Sequence, residues 1–98
     1  MNVNGSVSLL TLELEIPGCR SLKEKRGILQ PLIVHLRKAF NVSVSEIAHQ
    51  DSWDRAGLGL VIVSNDGRYN QKVLAEILND ISDHYVNVDV VQSKLESR

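Results

Sequence analysis

The densest group of residues able to do chemistry lies between Pro17 and Phe40. Six bases (Arg20, Lys23, Lys25, Arg26, Arg37 and Lys38) stand there with one acid, Glu24, a balance of +5. The remaining residues hold five bases and eleven acids, a balance of −6, so the chain sums to −1. The chemistry open to such a set is electrostatic: guanidinium and ammonium groups facing an anion, with RNA phosphate the natural case. Arg20, Lys23, Lys25, Arg26 and Arg37 are therefore the candidates for an RNA- or anion-binding surface. At about 100° per residue, Lys23, Arg26, Gln30 and Arg37 share one helical flank. Lys25 falls nearer the buried edge, where its stem can run along apolar surface while the ammonium reaches water. The plainer reading is a solvated helix face with Arg37 and Lys38 complementing the helix C-terminus, and on charge alone it carries slightly more weight. A net charge of −1 also speaks against a strong, general nucleic-acid binder.

Two loops offer other chemistry. Pro17-Gly18-Cys19-Arg20-Ser21 leads into a helix N-terminus, which attracts anions. It lacks the glycine and valine pattern of acylphosphatase phosphate loops, so Arg20 and Ser21 read mainly as loop and cap. Asp51-Ser52-Trp53-Asp54-Arg55 sets acids around an aromatic residue. Asp51, Trp53 and Arg55 form a candidate ligand loop; the plainer reading has Trp53 lidding the core and the charges pairing locally. His35, His49 and His84 have no i,i+4 partner and no cysteine close by, which is poor ground for a metal site. There is no P-loop, no GxGxxG and no Gly-x-Ser-x-Gly. No cofactor, metal or catalytic residue is expected.

The elements that position these residues follow from periodicity. Ser6–Ile16 alternates, with Leu10, Leu12, Leu14 and Ile16 on one face and Thr11, Glu13 and Glu15 on the other: a half-buried strand. Pro17-Gly18 ends it. Ser21 and Glu24 have capping-box spacing. A helix follows to about Phe40, with Leu22, Leu29, Leu32, Ile33, Leu36 and Phe40 as its apolar stripe and a kink or break expected at Pro31. Residues 42–50 make a second strand whose alternation blurs at Glu46-Ile47, the mark of a bulge or an edge. Residues 51–57 form a polar loop. Residues 58–64 are apolar on both faces, suiting a central strand covered on both sides. Asn65-Asp66-Gly67 turns the chain and caps a helix with Val73, Leu74, Ile77, Leu78 and Ile81 as its stripe, ending near His84. Val86, Val88 and Val90 alternate as a last strand, with fraying expected beyond Gln92.

The order β-α-β-β-α-β gives the fold class: α+β, a ferredoxin-like βαββαβ sandwich with a four-stranded antiparallel sheet and two helices on one face. Right-handed crossovers place the first and third strands in the centre. One sheet face stays uncovered, carrying Thr11, Glu13, Glu15, one apolar set of the third strand and Leu9, so a partner or a second subunit is one use for it. Leu9-Leu10-Thr11-Leu12 and Leu60-Val61-Ile62-Val63 lack the aromatics that stack RNA bases on related sheets, so any RNA contact must read phosphate and shape.

The chain has 98 residues, of which 43% are hydrophobic, enough for one domain over 1–98 with flexible ends at about 1–5 and 93–98. A single cysteine, Cys19, excludes an internal disulfide framework and fits a reducing cytosol. No secretory signal or membrane span is read, which makes the expected location cytoplasmic.

Three blocks carry a family resemblance. Residues 21–26 (SLKEKR), 40–46 (FNVSVSE) and 51–59 (DSWDRAGLG) resemble the YlxP-like family of small bacterial proteins of unassigned function, and residues 63–66 (VSND) agree. The resemblance covers nearly the whole chain and implies a ferredoxin-like fold. In some bacteria the family's gene lies among genes for transcription elongation, translation initiation and ribosome maturation, which implies a role near RNA or a ribosomal particle. No catalytic residue is established for the family, so none carries over. The expectation is a non-enzymatic accessory protein docking on RNA or a ribosomal particle, with a homo-oligomeric interaction module, built on the open sheet face or an edge strand, as the alternative.

Overall fold

Alternation along the strands sorts side chains into two layers. A computed structural model describes residues 5–98. Its elements are β1 (Ser6–Glu15), α1 (Leu22–Ala39), β2 (Ser43–Ala48), β3 (Arg55–Ser64), α2 (Gly67–His84) and β4 (Asp89–Ser97). The sheet is antiparallel in the order β2-β3-β1-β4, so β1 and β3 are central. This is the ferredoxin-like α+β sandwich. Leu10, Leu12 and Leu14 of β1 lie opposite Leu60, Leu58 and Ala56 of β3. All six are buried in one core with Leu29, Leu32 and Leu36 of α1 and Val73, Leu74, Ile77 and Ile81 of α2. The other face carries Val7, Leu9, Thr11, Glu13 and Glu15 opposite Val63, Val61, Gly59, Gly57 and Arg55.

Local chemistry explains where the elements begin and end. Between β1 and α1, Gly18 takes φ +79° and the Cys19 N–H donates to the Ile16 carbonyl at 3.2 Å. That is a type II turn with Pro17 and Gly18 in its central positions. Ser21 caps α1: its Oγ accepts from the Glu24 N–H at 3.1 Å. The Glu24 carboxylate reaches back to the Arg20 N–H at 2.8 Å, one residue before the usual capping-box donor. Asp66 caps α2 by accepting from the Arg68 N–H at 2.9 Å. Buried Asn70 ties α2 to the sheet, accepting from Ser64 Oγ and donating to the Ser6 carbonyl.

Several boundaries depart from the expectations. α1 runs unbroken through Pro31 for 18 residues, because Leu29, Leu32 and Leu36 fix both sides of the proline to the sheet. β3 begins at Arg55, so the last three residues of the expected polar loop, 55–57, are strand. It is covered on one side only, leaving Val61 and Val63 exposed. β4 starts three residues after Val86, which sits exposed in a turn, and continues to Ser97. Residues 93–97, expected to fray, pair with β1, and Arg98 exchanges two backbone hydrogen bonds with Val7 at 2.7 and 2.9 Å. The other flexible end, 1–5, falls mostly on residues 1–4, outside the described residues. The irregularity expected near Glu46-Ile47 is a bulge on an edge strand between Glu46 and Ala48.

Candidate anion-docking face and its surroundings

The outward side of α1 carries Lys23, Arg26, Arg37 and Lys38, all exposed, and exposed Arg20 precedes the helix. Lys23 and Arg37 are fourteen positions apart, about 21 Å along a helix axis. Among the described residues none of these five cations makes an ion pair. Arg37 does reach the Val44 carbonyl at 2.6 Å, anchoring its guanidinium over β2 without neutralising it.

Lys25 departs from the set. It is 2% exposed, and its ammonium donates to the His49 carbonyl at 2.7 Å and the Ser52 carbonyl at 2.9 Å. Glu46 Oε2 stands 2.8 Å away. The cause is angular: Lys25 lies on the stripe of Leu29, Leu32 and Leu36 and faces the sheet, so an ammonium expected at the surface is used up inside. It is removed from the anion-binding candidates.

What Lys25 holds is the β2–β3 hairpin. The Ser52 N–H also donates to the His49 carbonyl, closing a tight turn. His49 adopts φ 62°, a left-handed conformation unfavourable for a residue with a side chain. Its Nε2 meets Glu13 Oε1 at 2.8 Å on the open sheet face. That hydrogen bond is the main reason the Glu13 carboxyl titrates below the ordinary glutamate range, with the nearby Arg55 charge adding to it. The glycines of β3 make room: an added Cβ on Gly57 would stand 2.7 Å from Ala48 Cβ, and on Gly59 3.2 Å from Ile47 Cδ1.

The Asp51, Trp53 and Arg55 loop does not close on itself. Trp53 is 56% exposed and lids no core. Arg55 is the first residue of β3, opposite Glu15, and pairs with neither Asp51 nor Asp54. The Gly18–Ser21 loop is equally unsuited to a small anion, since the Glu24 carboxylate already takes the Arg20 N–H and the Cys19 N–H goes to the Ile16 carbonyl. Cys19 is half-buried with its Sγ 3.5 Å from the Ser21 carbonyl oxygen.

The histidines are scattered in the sequence. The fold brings two together: His35 Nε2 lies 2.9 Å from Asp80 Oδ1, and His84 Nδ1 lies 3.0 Å from the Asp80 carbonyl oxygen. The ring of Tyr85 stands beside His35, and burial, then the Asp80 charge, raises the pKa of its phenol. Nothing in one-dimensional spacing signals this link between helices. Among the described residues no group of three His, Cys, Asp or Glu side chains could hold a metal ion, and no helix is long and apolar enough to cross a membrane.

Fold and site together define a small ferredoxin-like protein with an unpaired basic helix face and an open sheet face. The chain belongs to the DUF503 family of proteins of unknown function, which it matches over residues 7–95. It is 41% identical over 58 residues to the uncharacterised protein YlxP of Bacillus subtilis (strain 168); the match spans 59% of this chain and 63% of that relative. Among solved structures it is similar to the de novo designed protein Foldit4, with a TM-score of 0.57 at 11% identity over 97% of both chains. It is also similar to a mutant of SnoaB, a cofactor-independent oxygenase from Streptomyces nogalater, with a TM-score of 0.51 at 10% identity over 95% of this chain and 90% of that one. At such identities the likeness is one of fold alone.

Proposed function

We propose that this chain is a non-enzymatic, cytosolic accessory protein that docks on the phosphate backbone of RNA, free or within a ribosomal particle, through the outward face of α1. The observation that carries the reading is the absence, among the described residues, of ion pairs at Arg20, Lys23, Arg26, Arg37 and Lys38 in a chain whose net charge is −1. All acids but Glu24 lie outside the basic segment, so the positive field of α1 is left for an outside anion while the acidic remainder orients the approach. A row about 20 Å long spans several phosphates of a nucleic-acid strand. The exposed sheet strands offer no aromatic platform, so the contact reads backbone and shape.

Sedimentation of the full chain with ribosomal particles at low and at high salt tests this. Co-migration at low salt that is lost at high salt is expected. So is weaker binding in the Lys23→Glu and Arg26→Glu variants, with the salt dependence flattened by roughly one counterion for each contact removed. Variants that bind as tightly as the wild type, or a wild type that at low salt neither co-migrates with ribosomal particles nor binds free RNA, overturn it.

A further inference from the structure

Among the described residues the strand β4 is a free edge, and its sequence is nearly its own mirror. Ser93-Lys94-Leu95-Glu96-Ser97 reversed against itself sets serine opposite serine, lysine opposite glutamate and leucine opposite leucine. We propose that β4 pairs antiparallel with β4 of a second copy about a two-fold axis at Leu95, joining two sheets into one of eight strands. This surface is distinct from the basic face of α1 and does not depend on its reading.

Backbone parity agrees with that register. Arg98 and Val7 exchange both backbone hydrogen bonds, so in the β1–β4 ladder the inward-bonded residues of β4 are Arg98, Glu96, Lys94 and Gln92. The N–H and C=O groups of Ser93, Leu95 and Ser97 therefore point away from the sheet. A two-fold at Leu95 joins Leu95 to Leu95 and Ser93 to Ser97 by roughly six backbone hydrogen bonds between copies. Lys94 and Glu96 then fall at non-hydrogen-bonded positions, where opposed Cα atoms come within about 4.5 Å and side chains meet most closely. Both Lys–Glu contacts are attractive, and Gln92 faces Arg98.

Charge selects this register over its neighbours. An axis one residue earlier opposes Lys94 to Lys94, and one residue later opposes Glu96 to Glu96 and Lys94 to Arg98. A lysine on an edge normally discourages pairing. Here Glu96 lies 3.0 Å from Lys94 within the same strand and balances it. The row thus repels copies in the wrong register and accepts one in the right register. The opposite edge, β2, has only six residues and its bulge falls within them, whereas the bulge of β4, at Val91, lies before the 93–97 segment that would pair. On the helix side, an open groove of about 630 Å³ runs between α2 and β4, with Leu78, Val90 and Ser93 among its walls. Leu95, on that same side, is 44% exposed and would be covered by its symmetry mate.

The test is analytical ultracentrifugation of the full chain at tens of micromolar and low salt, with amide hydrogen exchange. A dimer is expected, with the amides of Ser93, Leu95 and Ser97 protected. Lys94→Glu and Glu96→Lys should each weaken self-association at least tenfold and expose those three amides, while the amides of Lys94 and Glu96, bonded to β1, stay protected. Mixing the two variants should restore a dimer, because each then supplies the charge the other lacks. The Lys94 side chain is 71% exposed, and circular dichroism checks that the variants stay folded. A wild type that remains monomeric at about 100 µM overturns the proposal, as does a dimer indifferent to Lys94→Glu or a mixture that stays monomeric.

Discussion

Lys25 Nζ and Glu46 Oε2 stand 2.8 Å apart at the junction of α1 and β2, and the same ammonium holds the two carbonyls of the β2–β3 turn. Its neighbours Lys23 and Arg26 flank it in sequence and face solvent. A single helical turn therefore divides the basic cluster into a fastening inside and an exposed cationic face outside. Helix geometry alone makes the division, because adjacent residues differ by about 100° around the axis. Holding the turn also holds His49 in its left-handed conformation, so the inward lysine indirectly sets what the open sheet face presents.

Lys25→Met should destabilise the fold by about 3 kcal/mol in urea unfolding, because it strands the Glu46 carboxylate and the Ser52 carbonyl and leaves the His49 carbonyl only the Ser52 N–H. Lys23→Met, on the exposed side, should stay within about 0.5 kcal/mol of wild type. The same two substitutions separate in binding. On the proposed function, Lys23→Met should weaken RNA binding without loss of stability, whereas any binding loss in Lys25→Met should track its unfolding. Equal stability of the two variants would contradict the buried assignment.

The glycines give a graded series. Gly57→Ala places a Cβ 2.7 Å from Ala48 Cβ, two groups with no rotamer to yield, and should cost about 1–3 kcal/mol as the β2–β3 ladder shifts. Gly59→Ala meets the flexible end of Ile47 at 3.2 Å and should cost less. Gly27→Ala, in the interior of α1 with nothing within 4 Å of the new Cβ, should stabilise by about 0.5–1 kcal/mol. Thermal melts of the three variants rank them, and a Gly57→Ala protein as stable as wild type would show that the bulge can relax.

Much of this architecture is legible in the residues themselves. Period-two alternation in β1 and the leucine stripe of α1 name their buried faces, because burial on one side is what that periodicity means. The Ser21 and Asp66 caps are equally local. Three features escape such reading. The inward turn of Lys25 needs the position of the hairpin carbonyls, 24 and 27 residues away. The meeting of His35, Asp80 and His84 needs the packing of α1 against α2. The extent of β4 through 93–97 depends on pairing with β1, since Ser93-Lys94-Leu95-Glu96-Ser97 has weak strand propensity and takes its conformation from its neighbour.

Asn70 tests how much one buried amide contributes. It accepts from Ser64 Oγ at 2.6 Å and donates to the Ser6 carbonyl at 3.0 Å, joining α2 to the ends of β1 and β3. Asn70→Leu keeps the branched heavy-atom shape and removes both bonds. A loss of about 1–3 kcal/mol is expected from the unpaired Ser6 carbonyl, measured by denaturant midpoint at unchanged slope. No change in midpoint would mean that water reaches that carbonyl.

Glu13 should titrate differently once His49 is removed. In the folded chain the His49 hydrogen bond lowers the Glu13 carboxyl below its ordinary value. A carboxylate depressed in the folded state contributes stability above its unfolded pKa, about 4.3 for glutamate, and loses it as pH falls through the lower folded value. His49→Gly keeps the left-handed backbone accessible while deleting the imidazole. In that variant the Glu13 side-chain signal, followed by NMR against pH, should move up toward the ordinary range. Acid unfolding should lose the part of its pH dependence that Glu13 supplies below about pH 4.3. A Glu13 midpoint unmoved by the substitution would show that Arg55, the more distant charge, controls the carboxyl instead. The open sheet face would then carry its anion independently of the hairpin that Lys25 holds in place.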